Sequence, residues 1–183
     1  ASIFYNQIND FILIDNTFVK MAKAHKVTRN VDTESFGFEL DSKYTLSKTF
    51  TAGASVSWVR ATNLTDHTPL AQQPALQGRF TLDYTLSDWQ LGVLWRLVKK
   101  QNRIAVGQGN IAGQDVSATA GYGVLSLNAN YSQSQNIDWS FGIDNLLDKT
   151  YSEHLSRAGA AVSGYTQIDK VNEAGLTAWL NLN

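Results

Sequence analysis

Apolar residues recur at every second position through most of the chain, which is the spacing of a strand with one greasy face and one polar face. Phe36, Phe38, Leu40, Tyr44 and Leu46 alternate with Gly37, Glu39, Asp41, Lys43 and Thr45. Phe50, Ala52, Ala54, Val56 and Trp58 follow, set against Thr51, Gly53, Ser55 and Ser57. The same rhythm runs from Phe80 to Leu86, Trp89 to Trp95, Leu125 to Tyr131, Ile137 to Ile143 and Leu176 to Leu182, with a less regular first strand near residues 2 to 14. It predicts an all-β chain, an antiparallel up-and-down meander of about eight strands. Leu94, Val98 and Trp179 fall on the polar face and break the alternation.

The connections alternate in length. Short turns are expected at Ser47-Lys48, Ser87-Asp88 and Ser134-Gln135-Asn136, and long loops near residues 15–26, 64–75, 102–118 and 150–172, so that every long loop lies at one end. Aromatics flank each short turn: Tyr44 and Phe50, Tyr84 and Trp89, Tyr131 and Trp139. All six belong to the apolar face and predict an aromatic girdle of the kind that sits at a lipid headgroup boundary. From Phe36 to Tyr44, or Phe50 to Trp58, eight steps at roughly 3.3 Å and a tilt of about 40° give about 20 Å of height, near the band of an outer-membrane barrel. A soluble β-barrel binding an apolar ligand also alternates, so alternation alone leaves both open.

Composition narrows the classes. Of 183 residues 43% are hydrophobic and 17% charged, which suits one folded domain. A formal net charge of -1, with no basic run longer than Lys99-Lys100, argues against a nucleic-acid partner. The absence of cysteine removes disulfides and thiolate metal sites. No apolar run reaches the roughly 18 residues of a membrane helix, and the N-terminal residues lack the pattern of a signal peptide.

Candidate chemistry is sparse. His25, His67 and His154 all fall in expected loops; His154, and Met21 with His25, are the candidate donors for an incoming metal or chelate, against the plainer reading of solvated loop side chains. Asp144, Asp148 and Glu153 lack the order of a calcium loop. The glycines of GQGNIAG lack dinucleotide spacing, and no catalytic constellation stands out, so neither an enzyme nor a cofactor is expected. Glu39, Asp41, Lys43, Arg79, Asp83 and Arg96 share the polar face, where a water-filled or plugged lumen would satisfy them.

FGIDNLLDKTYSEH, residues 141–154, resembles the GxxNLFDxxY signature of TonB-dependent outer-membrane receptors, with Gly142, Asn145, Leu146, Asp148 and Tyr151 in matching places. RNVDTESFGFELD, with Gly37 and Glu39, resembles another strand of the same family, as does FYNQINDFI. PLAQQPAL, VKKQNR, GNIAGQD and SEHLSRAGA look most like its copper-receptor subgroup. The resemblance implies residues 1–183 of a C-terminal segment of a 22-stranded barrel in a Gram-negative outer membrane, without the plug domain. It further implies partners in lipid, TonB, the plug, and a metal or metal chelate of the copper or iron-siderophore class. Two departures stand out: Leu147 replaces the usual Phe, and the sequence ends on Asn183 rather than a terminal aromatic, which implies a longer natural barrel. The alternative is a self-contained small outer-membrane barrel with a structural or adhesive role.

Overall fold

The computed structural model describes residues 1–156, 163–166 and 170–183. Among the described residues ten strands form one antiparallel sheet: β1 (Ser2–Lys20), β2 (Lys23–Thr45), β3 (Phe50–Asn63), β4 (Thr68–Pro69), β5 (Gln77–Leu86), β6 (Trp89–Val98), β7 (Gln108–Gly109), β8 (Tyr122–Ser134), β9 (Ile137–Asp144) and β10 (Thr177–Leu182). Eight are long, and they lie in chain order from β1 to β10; β4 and β7 are two-residue pieces of loops that pair with β3 and β1. The sheet does not close: one edge is β10, and the other is β1, which β7 covers only beside Ile14 and Asp15.

Register explains why alternation survives across so many strands. Phe50, Tyr84, Leu91, Ala129, Phe141 and Leu180 stand opposite one another along a single transverse row. Asp41, Ser55, Arg79, Arg96 and Val124 form a row on the other face. A slip of one residue in any strand would exchange the two faces, so the pattern pins every pairing.

The apolar face lies against no second layer of described residues. Phe38, Leu82, Leu91, Val93, Trp95 and Leu127 are all exposed. The surface is 12098 Å², against about 8,800 Å² for a compact monomer of this mass. A cluster of buried apolar side chains, Leu13, Val31, Ala61 and Leu70, sits with Phe11 on the polar side, where loops fold over the upper sheet.

The first expected loop is a correction. Residues 15–26 are not a loop: β1 runs on to Lys20 and returns from Lys23 through a tight turn at Met21 and Ala22, both with positive φ. Two register shifts, between Ile8 and Phe11 and between Asp15 and Phe18, change which parity faces which way. Ile3 and Tyr5 therefore share a face with Ile12 and Ile14, so period-two reading loses the strand at Asp10, whose φ is 58°.

The polar-face exceptions also find their reason for one residue. Trp179 lies across Gly142, where a β-carbon would stand 2.3 Å from two indole carbons, and its Nε1 donates to Asp144 Oδ2 at 3.1 Å. At Gly37 a β-carbon would stand 2.3 Å from the Trp58 carbonyl oxygen and 2.6 Å from the Phe4 ring that covers it. Glycine at these two motif positions makes room for an aromatic on the neighbouring strand.

Candidate functional site

All the long connections leave the same end of the sheet, and three of them fold together over its polar face. Their meeting point is the carboxylate of Asp115, in the loop between β6 and β8. Asp115 Oδ1 accepts the backbone N–H of Gln72 at 3.0 Å and its side-chain amide at 3.2 Å, while Oδ2 accepts the Ala105 N–H at 2.9 Å. His154 Nε2 stands 3.4 Å from Oδ1, a long contact, and the two side chains are 4% and 0% exposed. The other ring nitrogen, Nδ1, shares a hydrogen with Thr119 Oγ1 at 2.8 Å, and Lys170 Nζ donates to that hydroxyl and to the Ser117 carbonyl. Burial pushes the Asp115 carboxyl up, but the nearby His154 imidazole and the N–H donors of Ala105 and Gln72 outweigh it and hold the group below its ordinary value. Burial pushes the Lys170 ammonium down.

A second cluster ties the β1–β2 hairpin to the turn after β3. Arg29 donates to both oxygens of Asp66, one at 3.0 Å, and to Asp15 Oδ2 at 3.1 Å. Asp66 also accepts from Asn63 Nδ2 at 2.8 Å, and Asp15 Oδ1 accepts from the Thr17 amide and hydroxyl. The Arg29 guanidinium holds Asp66 below the usual carboxylate range. At Asp15 burial pulls upward, and the Thr17 and Arg29 hydrogen bonds bring the net value down.

A third pairing reaches into the wall. Glu153 accepts from both terminal nitrogens of Arg96, at 2.5 and 3.3 Å, and from Tyr122 Oη at 2.6 Å. Of the six charges expected on the polar face, Arg96 is thus held by a carboxylate of the same chain.

The motif residues build the base of the last loop. Asn145 adopts φ of 51°, a region asparagine tolerates better than most residues, and it is almost fully buried. Its Nδ2 donates to the carbonyls of Lys149 and Ala174, and its Oδ1 accepts the Lys149 N–H at 2.8 Å. Asp148 Oδ1 accepts the Leu176 N–H at 3.0 Å, so departing and returning chain are sewn together at one place. Leu146 N–H donates to the Leu125 carbonyl, and the Tyr151 ring lies 4.3 Å from that of Tyr122. Asp144, Asp148 and Glu153 therefore each serve a different partner.

The structure scatters the candidate metal donors. Met21 stands at the hairpin tip, 89% exposed. His25 lies in β2 rather than a loop, opposite Phe18, and His67 occupies a turn with φ of 57°. His154 is in a loop but is buried against Asp115, not solvated. Among the described residues no group of three or more His, Cys, Asp and Glu side chains is placed to hold a metal ion. Sequence reading overlooked Asp115, Thr119 and Lys170 because loops carry no period, and the Asp15–Arg29–Asp66 cluster because its members, on β1, on β2 and in the turn after β3, meet only in space. One signal was present: Gln72, Asp115 and His154 come from three of the four segments singled out by resemblance, and Gln101 of the fourth donates to the Gln73 and Pro74 carbonyls. The end of SEHLSRAGA, residues 157–160, lies outside the described residues.

The six girdle candidates share the apolar face at the short-turn end. Phe50 and Tyr84 have ring centroids 4.7 Å apart, and Trp89 stacks on Tyr131 at 4.6 Å. Trp139 is the register partner of Tyr131, and Tyr44 stands opposite Ala52. From β2 to β9 the rings step down across three outward rows, as a fixed height must when traced across tilted strands.

Residues 1–146 match the family described as TonB dependent receptor-like, beta-barrel. Among solved structures, the chain is similar to "Copper transporter OprC", with a TM-score of 0.91 and 39% identity over 98% of this chain and 28% of that one. It shares its fold with the FrpB iron transporter from Neisseria meningitidis, at a TM-score of 0.67 and 20% identity over 98% and 28% of the two chains. It also shares it with the ferric enterobactin receptor PfeA from Pseudomonas aeruginosa, at 0.71 and 19% over the same shares. No curated protein sequence matches. The chain spans less than a third of each of these structures. A family match over four fifths of its length, joined to the unclosed meander and the sewn Asn145 loop, means that the chain belongs to the TonB-dependent receptors, as part of their β-barrel.

Proposed function

We propose that this chain forms part of the outer-membrane wall and the extracellular mouth of a receptor that takes up a metal or metal chelate with energy relayed through TonB, in a Gram-negative bacterium. Copper is the cargo this reading favours. The observation that carries it is the 39% identity, over 98% of this chain, to a copper transporter. An uncovered apolar face supports the membrane half of the reading, because hydrocarbon can cover it and water would cost roughly 25 cal/mol per Å². Short turns then face the periplasm and the loop layer faces outside.

In this reading the edges of β1 and β10 pair with further strands of a complete barrel, which lipid requires. A plug and the contact with TonB belong to other parts of the receptor, and Glu39, Asp41, Lys43, Arg79 and Asp83 face that plug. The chain binds and conducts rather than catalyses. Of the three candidate donors, Met21 and His25 at the exposed hairpin are open to arriving cargo, and a thioether with an imidazole suits a soft cation. His154 acts instead as a loop anchor.

Cells deleted for the complete receptor test this, with copper and ferric-siderophore accumulation measured side by side by mass spectrometry of washed cells. Loss of copper accumulation, restored by the intact gene, is expected. Loss of iron-siderophore uptake alone keeps the receptor and changes the cargo, and no change in either overturns the proposal.

A further inference from the structure

Above the upper aromatics of the apolar face stand Arg60 and Lys99, and Lys100 and Arg103 line the seam beside them. Arg60 faces outward two residues beyond Trp58 on β3. Lys99 continues the β5–β6 ladder one rung past Gln77 and Val98, its N–H donating to the Leu76 carbonyl at 2.9 Å, and so faces outward too. β3 pairs with β5 only as far as Ser57, and the wall above that point is completed by residues 70–76 and 99–103. A cavity of about 220 Å³ lies in this seam, lined by Trp58, Arg60, Leu70, Lys99, Lys100 and Arg103 among others.

Among the described residues these four cations meet no counter-charge. Among the described residues the ion pairs are those of Arg29, Arg96 and His154, and none involves Arg60, Lys99, Lys100 or Arg103. Arg103 donates to the Ala61 carbonyl at 3.1 Å, which points its head into the seam. Burial, and then the charge of Arg60, push its guanidinium below the ordinary arginine value, as expected where like charges face one space. Directly below, Trp58 packs edge-on against Phe36 at 5.5 Å and against Phe38 at 5.9 Å, with both partners exposed. An anion is needed above, and an apolar body below.

We propose that Arg60, Lys99, Lys100 and Arg103 seat the phosphate-bearing headgroup of an outer-leaflet lipid, whose acyl chains descend over Trp58, Phe36 and Phe38. The proposal rests on the membrane reading given above. A free anion fits the charge but leaves the three rings unused, whereas a phospholipid or phosphoglycolipid meets both halves of the seam. Arginine and lysine heads reach the headgroup level while their stems lie along apolar surface.

The test uses the complete receptor purified in detergent and titrated with bis-phosphorylated lipid A, with bound lipid counted by native mass spectrometry. R60Q/K99Q/K100Q removes three charges and leaves the structural Arg103; at about 1 kcal/mol for each, affinity is expected to fall about a hundredfold. R60K/K99R/K100R is expected to bind within a few-fold of the parent. Equal binding by the glutamine variant, or equal binding of lipid A stripped of its phosphates, overturns the proposal. So does competition by inorganic phosphate at concentrations comparable with the lipid, which would mark a free-anion site. If the glutamine variant does not fold, the parent's affinity is measured against salt: a steep fall supports the seat, and indifference to salt overturns it. Failure of the membrane reading shows differently, as a receptor that stays folded and monodisperse without detergent.

Discussion

Asp115 and His154, thirty-nine positions apart in the chain, stand 3.4 Å from each other with their side chains sealed from solvent. That contact holds the loop after β6 to the loop after β9, and the two Gln72 bonds hold both to the turn before β5. Replacing Asp115 by Asn keeps the shape but removes the charge and turns an amide toward existing donors. The expected cost is about 1–3 kcal/mol, felt locally. Hydrogen exchange should quicken across residues 101–119 and 70–76 while the amides of β8 and β9 stay protected.

The same carboxylates set a pH response. Asp15, Asp66, Asp115 and Glu153 all titrate below their ordinary values of 3.8 and 4.5, so each favours the folded loops when ionised. Such stability is fully present above the unfolded values and is lost as pH falls through the folded ones. Loop protection should be flat from pH 8 to about 5 and fall below about pH 4. Loss of protection between pH 7 and 6 would contradict this account of the layer.

Arg29 joins two carboxylates, one on its own hairpin and one on the next turn. Arg29→Lys keeps one charge but loses the fork that reaches both oxygens of Asp66. The β1–β2 hairpin above Leu13 should fray, at a cost of about 1–2 kcal/mol, with faster exchange at residues 14–28. The wall below should melt as before.

Asn145 combines a left-handed backbone with three side-chain hydrogen bonds. Asn145→Ala loses both features and should cost about 2–4 kcal/mol, whereas Asn145→Gly recovers the backbone part, about 1 kcal/mol. Heat-induced gel shift of the folded barrel should rank parent above glycine above alanine. An alanine variant as stable as the glycine one would remove the backbone part of the argument.

Where the chain must show two chemically different faces, the residues announce it. The two-residue turn at Ser87-Asp88, the shared apolar face of Phe50, Tyr84, Trp89 and Tyr131, and the polar face of Arg79 and Arg96 were legible, because one face repels water and the other accepts it; which rings pair across strands was not. The upper hairpin was not: Asp10 interrupts the period with a bulge, and Lys20, Lys23 and Lys26 stand where neither face is obliged to be apolar. Asp115 was invisible for a different reason. Its donors come from Gln72 and Ala105, with the His154 ring 3.4 Å away, and no local pattern predicts which distant group a carboxylate will meet. The glycines fell between these cases: Gly142 and Gly37 could be matched to a motif, but the Trp179 ring over one, and the Trp58 carbonyl and Phe4 ring over the other, were seen only in space.

The orientation of the sheet is the claim on which the rest stands, and a chain without cysteine offers a clean way to measure it. Single cysteines at Phe38, Val56, Leu91 and Phe141, and at Glu39 and Asp83, can be spin-labelled one at a time in the complete receptor in lipid vesicles. Power-saturation spectroscopy then compares collision with dissolved oxygen and with a water-soluble nickel chelate. The first four labels should be oxygen-rich and chelate-poor, and the last two the reverse. Chelate-rich signals at Phe38 and Leu91, with Glu39 and Asp83 shielded in lipid, would contradict the account.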